Sequence, residues 1–358
     1  MAAVADPSMN VSMALKGAPG SPYTRKMLAL LRYRRIPYRL LHGMAAEQAG
    51  LPKPAVELLP TCYLPDASGA LQAVTDSTPL LRRFEREIPA RAAQPREPVL
   101  RFIDSVLEDY ADEWLSKAMY HYRWQFAPDI DKAGSVIPLQ YLGTCIPAAM
   151  VRGAKQQFAA RQIGRLPVVG SGALTAGVIE VSYERLLDLL DAHFERHPFL
   201  MGARPGACDF ALYGQLTQMT QLDPTPMAIA LARSPRTVAW VGLVEDLSGL
   251  EPGEEDWIKA DALPQTLIAL LQEVARGYVP MMLANARAHA QAAREFQTLI
   301  DGLPWAQATV SYQAKCLRWL REEFAALSLS EQALADDILQ RGACAALVHE
   351  ALASACAN

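Results

Sequence analysis

The chain has 358 residues, 51% of them hydrophobic, with 34 basic against 38 acidic side chains and a net charge of −4 at pH 7. That length allows two or more packed units. The two signs are interspersed and leave no basic face to grip phosphates, which argues against nucleic-acid binding. Six cysteines, at 62, 145, 208, 316, 344 and 356, form no Cys-x-x-Cys pair and no Cys/His ligand spacing. They read as reduced thiols, and no metal site is expected. Residues 1–10 show no leader pattern, and no unbroken apolar run reaches the ~18–20 residues of a bilayer span. The expectation is a soluble, cytoplasmic protein without membrane contact.

In chain order, Val11, Met13 and Leu15 alternate with Ser12, Ala14 and Lys16, which predicts a half-buried strand. GSPYTRKMLALLRYRRIPYRLL follows, with Met27, Leu28, Leu30 and Leu31 on one helical face and Pro37 as the stop. Tyr38 to His42 read as a second strand, completing a βαβ unit. After a weakly patterned stretch, LLPTCYLP, the turn DASG and ALQAV predict an antiparallel hairpin. DSTPLLRRFERE then opens a helix, with Ser77 as the predicted N-cap.

Beyond Arg91 the pattern is helical and no strand is predicted. RAAQPREP, residues 91–98, reads as a linker, and Val99 to Trp124 as one long helix. Residues 127–147, rich in Pro and Gly, read as a loop. Further helices are predicted at Ala148–Ile163, Ala176–Arg196, Cys208–Gln221 and Ser234–Leu247. After the acidic break LEPGEEDWIKADALP, four more are predicted near Pro264–Arg276, Pro280–Leu299, Tyr312–Leu327 and Ser330–Ala353.

Three places could carry chemistry. Ser21 stands at a strand-to-helix seam, where a hydroxyl and free backbone N–H groups can stabilise an anion such as a thiolate. Bringing a free thiol from about pH 8.5 to about 7 takes about 2 kcal/mol of preferential stabilisation, within reach of one charge-assisted hydrogen bond and a helix dipole. Pro60 marks a strand start where an extended peptide could pair. Asp76 and Ser77 open a helix and together suit an amino-acid end group. Taken singly, each also reads as an ordinary cap or strand boundary. Tyr110 and Trp114 on the long helix, with Tyr120 to Trp124 further along, could face an apolar ligand or the core. His193 and His197 share a face but lack a third metal ligand.

Taken in order, these features resemble the glutathione S-transferase superfamily. SPYTRKMLALL resembles the family's Ser-Pro-Tyr/Phe active-site run, LLPT its cis-proline segment, and TDSTPLL its Glu/Asp-Ser motif. HPFLMGARPGACDFALYGQL resembles its later turn and N-cap segment, and SPRTVAWVGLVEDL the helix that follows. The likeness runs from Val11 to Leu250. It implies an α+β thioredoxin-like N-terminal domain (11–91) followed by an all-α C-terminal domain (98–250). Residues 251–358 have no counterpart in the two-domain form; about four further helices packed on the C-terminal domain are expected there.

By that resemblance Ser21 stabilises a glutathione thiolate, and Tyr23, Pro60, Thr61, Asp76 and Ser77 bind glutathione, the co-substrate. The partner would be an apolar electrophile near Tyr110 and Trp114, no metal is implied, and the family form is a homodimer. Serine at 21 in place of cysteine weighs against mixed-disulfide chemistry. Gly206 stands where the family carries an N-cap Ser/Thr, although Asp209 is kept. The extension, and the lack of a family pattern before Pro60, favour an alternative: a transferase-fold binding or scaffold protein without turnover.

Overall fold

The structure, a computed structural model, describes residues 13–349. Val11 and Ser12 of the expected first strand, the last residues of the helix expected at 330–353, and Cys356 lie outside the described residues. Four strands, β1 (Met13–Lys16), β2 (Tyr38–Leu41), β3 (Thr61–Pro65) and β4 (Leu71–Thr75), form a sheet in the order β2-β1-β3-β4. β1 runs parallel to β2 and antiparallel to β3, and β3 antiparallel to β4. Between β1 and β2 runs α1 (Pro22–Tyr33); α2 (Ala45–Gln48) is one turn, and α3 (Ser77–Glu87) closes the unit. This is the expected thioredoxin-like arrangement. β1 is an interior strand, so Met13, Ala14 and Leu15 are all buried and its alternation does not mark a wet face.

The long helix is present with an interruption. α4 (Pro98–Tyr110) passes through a π-helical turn, Ala111–Leu115, into α5 (Ser116–Gln125). Glu97 caps α4 by accepting from the Val99 and Leu100 N–H groups at 3.0 and 2.6 Å. Residues 127–147, expected as a loop, are mostly α6 (Ala127–Leu142), which ends at Gly143 with φ 85°. Pro128 sits in the first turn, where no N–H is needed. Pro138 costs an internal bond but is buried beside Ile137, which packs with Trp124, Ala133, Ala159 and Leu166. Then come α7 (Ala148–Ile163), α8 (Ala176–Phe194), α9 (Ala207–Thr217), a second π-helical turn (Gln218–Leu222), α10 (Pro224–Arg233), which the sequence reading missed, and α11 (Pro235–Val244).

The extension departs from the expected run of helices. The two segments split at Pro280 are one helix, α12 (Gln265–Ala290). By length and composition α12 could cross a bilayer, yet 72% of its most apolar stretch is buried inside the protein as core. At Gly277 it passes Trp114 so closely that a Cβ would stand 2.4 Å from the indole. The end of the helix expected to reach Leu299 and the stretch after it instead form a hairpin, β5 (Glu295–Ile300) and β6 (Leu303–Ala308), turned by Asp301 and Gly302 at φ 50° and 72°. α13 (Ser311–Ala325) and α14 (Leu329–Arg341) follow and pack on α4, where Phe102 and Phe324 lie 5.6 Å apart. One continuous core joins Leu15 of the sheet, Phe102 of α4, Met281 of α12 and Leu317 of α13.

The departure at Gly206 has a structural cause. Asp104 of α4 reaches across and accepts from the Ala207 and Cys208 N–H groups at 3.3 and 3.0 Å, capping α9 from another helix. A Cβ at Gly206 would stand 2.4 Å from its carboxylate, so a serine there is excluded while Asp104 is present. Asp209 keeps its own role and accepts from Gly206 N at 2.8 Å and Leu200 N at 2.9 Å. Asp104→Ala is expected to cost about 1–2 kcal/mol of stability. Gly206→Ser alone is expected to destabilise by about 1–3 kcal/mol through overpacking. The double variant should be more stable than the sum of the two losses, because the serine then caps α9; a urea double-mutant cycle checks this, and strict additivity would refute it.

Candidate active site

Between the sheet domain and the end of the long helix lies a cleft of about 840 Å³. Its floor is the loop after β1. Ser21, half-buried, caps α1: Oγ accepts from Thr24 N at 3.2 Å and donates to Leu59 O at a long 3.4 Å. The loop before it is gripped on three sides. Gly20 N donates to Gln140 Oε1 at 2.7 Å, Arg123 donates to Gly20 O at 3.0 Å, and Gln218 donates to Pro19 O at 3.1 Å. Arg123 is itself fixed by Asp223 at 2.9 Å and Gln218 Oε1 at 2.8 Å. Gly20 has no room for a side chain, since a Cβ would meet Gln140 and Ile137 at 2.9 Å.

The residues singled out in the sequence fall into three groups. Ser21, Tyr23 and Thr61 line the cleft, as does Leu59. Tyr23 donates its hydroxyl to Asp112 O at 3.0 Å. The Leu59–Pro60 bond is cis, and Pro60 is buried. Thr61 does not fit its assigned pairing role, because it sits in β3 with Lys16 on one side and Thr75 on the other, inside the ladder. Leu59, which precedes the ladder, lines the cleft and accepts the Ser21 hydroxyl at its backbone oxygen.

Asp76 and Ser77 form the second group and are not among the cleft-lining residues. Asp76, not Ser77, is the N-cap of α3, at φ 80°, and Ser77 is buried in the first turn. Both Asp76 carboxylate oxygens accept from the Tyr312 hydroxyl of α13, at 2.9 Å. Burial raises the Asp76 carboxyl above its usual range, against the Tyr312 bond. The extension therefore stands on the group expected to hold a ligand ammonium.

Tyr110 and Trp114 are the third group, and their assignment to an electrophile pocket is corrected. Both are core: Tyr110 packs edge-on to Tyr278, while Trp114 packs on Trp305 and donates Nε1 to Ser182 at 2.8 Å. The apolar wall of the cleft is instead Met119, Tyr120, Trp124, Tyr141 and Phe158, from α5, α6 and α7. Tyr120 and Trp124 are visible in the sequence; Tyr141 lies in a stretch expected as a loop, and Phe158 in an expected helix whose facing side the sequence does not mark.

Comparison with known proteins bears on this geometry. Residues 15–92 match the glutathione S-transferase N-terminal domain, and residues 160–242 match the glutathione S-transferase C-terminal domain. Both domains of the glutathione S-transferase family are thus recognisable in these two stretches of the chain. Residues beyond 242, including Tyr312, fall outside both matches. A crystal structure of maleylacetoacetate isomerase from Anaeromyxobacter dehalogenans, with GSH in its active site, is similar at 16% identity over 64% of this chain and 94% of that one, with a TM-score of 0.33. No curated protein matches the chain.

Beneath the transferase-type cleft lies a buried charge network that fixes α1. Lys26 reaches Glu108 at 2.8 Å and Asp112 at 2.6 Å, with all three side chains almost fully buried. Arg82 adds a second cation on Glu108 at 3.0 Å, and Thr78 donates to Glu108 at 3.2 Å. Burial pushes Glu108 up, but Lys26 and Arg82 outweigh it and hold it at about 2. Burial wins at Asp112, whose pKa is raised. Cys62, near the site in sequence, is a buried thiol pushed up to about 12 by burial and supplies no thiolate. Both nitrogens of His193 are bonded, to Thr266 and Phe199 O, at 2.9 and 3.1 Å. Lys26→Met strands the Asp112 carboxylate and leaves Glu108 to Arg82 alone, and is expected to cost about 3–5 kcal/mol at neutral pH. The deficit should shrink towards about pH 4, where stranded carboxyls can take up protons. Urea unfolding at several pH values measures it; a loss independent of pH would refute the charge explanation.

Proposed function

We propose that the chain is a glutathione transferase-like enzyme in which the Ser21 hydroxyl holds the glutathione thiolate for attack on an apolar electrophile. The observation that carries this reading is that Ser21 caps α1 and opens on a cleft whose opposite wall is aromatic and apolar. The 3.4 Å bond to Leu59 O is long enough to be exchanged for a bond to sulfur at little cost. The α1 N-terminus adds backbone N–H groups and a positive dipole end. Met119, Tyr120, Trp124, Tyr141 and Phe158 would receive the electrophile, so that catalysis combines a lowered thiol pKa with proximity. Lys53 and Arg161 reach the same cleft without a salt bridge among the described residues and suit the two carboxylates of the tripeptide.

A second reading, a transferase-fold binding or scaffold protein without turnover, is favoured by one contact: the Tyr312 hydroxyl on Asp76. Retention on immobilised glutathione, followed by conjugation of a generic aromatic halide, separates the two. Retention with turnover supports the enzyme, retention without turnover across a broad electrophile panel supports the scaffold, and absence of both removes the glutathione site. Ser21→Ala is expected to lower turnover by about tenfold or more, with little loss of glutathione affinity, the signature of an interaction realised with the thiolate. Unchanged turnover would take Ser21 out of its role.

A further inference from the structure

Under α13, three ligating side chains converge that the proposed transferase chemistry does not use. Asp109 and Glu113 stand four residues apart where the long helix enters its π-helical turn, and Cys316 of α13 faces them. One carboxylate oxygen from each and the Cys316 Sγ lie within 4.8 Å of one another. Asp109 and Glu113 are half-buried residues, and Cys316 is 3% exposed. π-Helical turns inside α-helices concentrate at functional sites, because they realign the side chains of one face.

The neighbouring cations are spent elsewhere. Lys26 is committed to Glu108 and Asp112. Lys117 favours the Glu113 anion through space but binds Val169 O at 3.1 Å and Gln307 Oε1 at 2.9 Å. Neither Asp109 nor Glu113 is in a salt bridge among the described residues; Asp109 accepts from the Tyr278 hydroxyl. A second observation is independent of the carboxyls. Gln313, one turn before Cys316 and 4% exposed, sets its amide against Glu113 and leaves its Oε1 without a hydrogen-bond partner. A buried amide oxygen with no donor costs about 1–3 kcal/mol, and its amide is held against Glu113, a member of the cluster. A shared cation would satisfy all four.

We propose that Asp109, Glu113 and Cys316 bind a thiophilic divalent cation of the zinc type, with the Gln313 amide oxygen as fourth donor. A thiolate among carboxylates suits zinc-like ions, whereas magnesium and calcium take oxygen ligands alone. Binding forms a metal–sulfur bond and releases the Cys316 proton to solvent. The cation would bridge the long helix and α13, tying the extension to the transferase domain. The site is independent of the function proposed for the cleft.

The full-length chain, stripped with a chelator, is titrated with zinc against a chromophoric chelator, and with cobalt(II) monitored in the near-ultraviolet. One-to-one uptake with a thiolate-to-cobalt band is expected. Cys316→Ser should abolish the band and weaken zinc binding by about tenfold or more. The isosteric Glu113→Gln should weaken zinc equally while leaving the far-ultraviolet circular dichroism of the metal-free chain unchanged. Cys145→Ala, at an exposed cysteine, should alter neither. No uptake by the parent chain, binding that survives the Cys316 and Glu113 variants, or a band lost with Cys145→Ala would each overturn the site. Should Cys316→Ser fail to fold, zinc affinity of Glu113→Gln decides.

Discussion

The ammonium of Lys26, on the side of α1 facing the long helix, is buried with the carboxylates of Glu108 and Asp112. Each of these ions loses several kcal/mol of hydration when it leaves water, so the arrangement survives only with all three in place. It therefore acts less as glue than as a register: α1 can sit at one height against α4 and its π-helical turn, and no other. Beside Lys26, α1 also meets α9 at Gly214, where a Cβ would stand 2.6 Å from Pro22 O and 3.0 Å from the Lys26 Cβ. Held between these contacts, the first turn of α1 presents Ser21 to the cleft. The Arg123 and Gln140 bonds to Gly20 then fix the loop before it. The position of one hydroxyl thus follows from charges buried beneath it.

The same long helix explains how the extension reaches the site. Its outer face carries Phe102, against Phe324 of α13, and Asp109 and Glu113, near Cys316. Once α13 is docked there, its first turn falls beside α3, and Tyr312 meets Asp76 236 residues away in the chain. Tyr312, Gln313 and Cys316 occupy successive positions along the face of α13 turned towards these acidic groups. An all-apolar face would have removed the Tyr312 donor from Asp76 and the Gln313 amide from Glu113.

What could be read from the sequence was local. The Ser21 cap, with Pro22 in the first turn, needs only the rule that the first N–H groups of a helix want an acceptor, and the structure has it. The βαβ unit and the hairpin followed from period-two runs and turn residues. What was missed depended on partners far away. Tyr110 and Trp114 have the spacing of a helical face, but spacing does not tell which of two apolar environments the face meets; here Tyr278 and Trp305 of the extension cover it. The cap on α9 comes from Asp104, about a hundred residues upstream. Two errors were avoidable in kind: Asp301-Gly302 between apolar residues is a hairpin signal. Pro128 and Pro138 look like loop markers in the sequence, but one sits where a helix tolerates proline and the other is offset by burial.

The competing readings of the cleft come down to one exchange at Asp76. Tyr312 brings a neutral hydroxyl, which bonds the carboxylate without cancelling its charge, and burial keeps that charge unfavourable. A ligand ammonium reaching that position would cancel it, at the cost of its own hydration. Reaching it does not require α13 to move. The backbone just before Tyr312 is clamped, because Asn285 donates to Val310 O at 2.9 Å and accepts from Val310 N at 2.8 Å. Behind it, Cys316, Leu317 and Leu320 are locked in the core. What can move is the Tyr312 side chain, half-buried and flanked by the Lys315 ammonium 5.3 Å from its ring. The first-turn tyrosine is then the group that decides whether the carboxylate belongs to the fold or to a ligand.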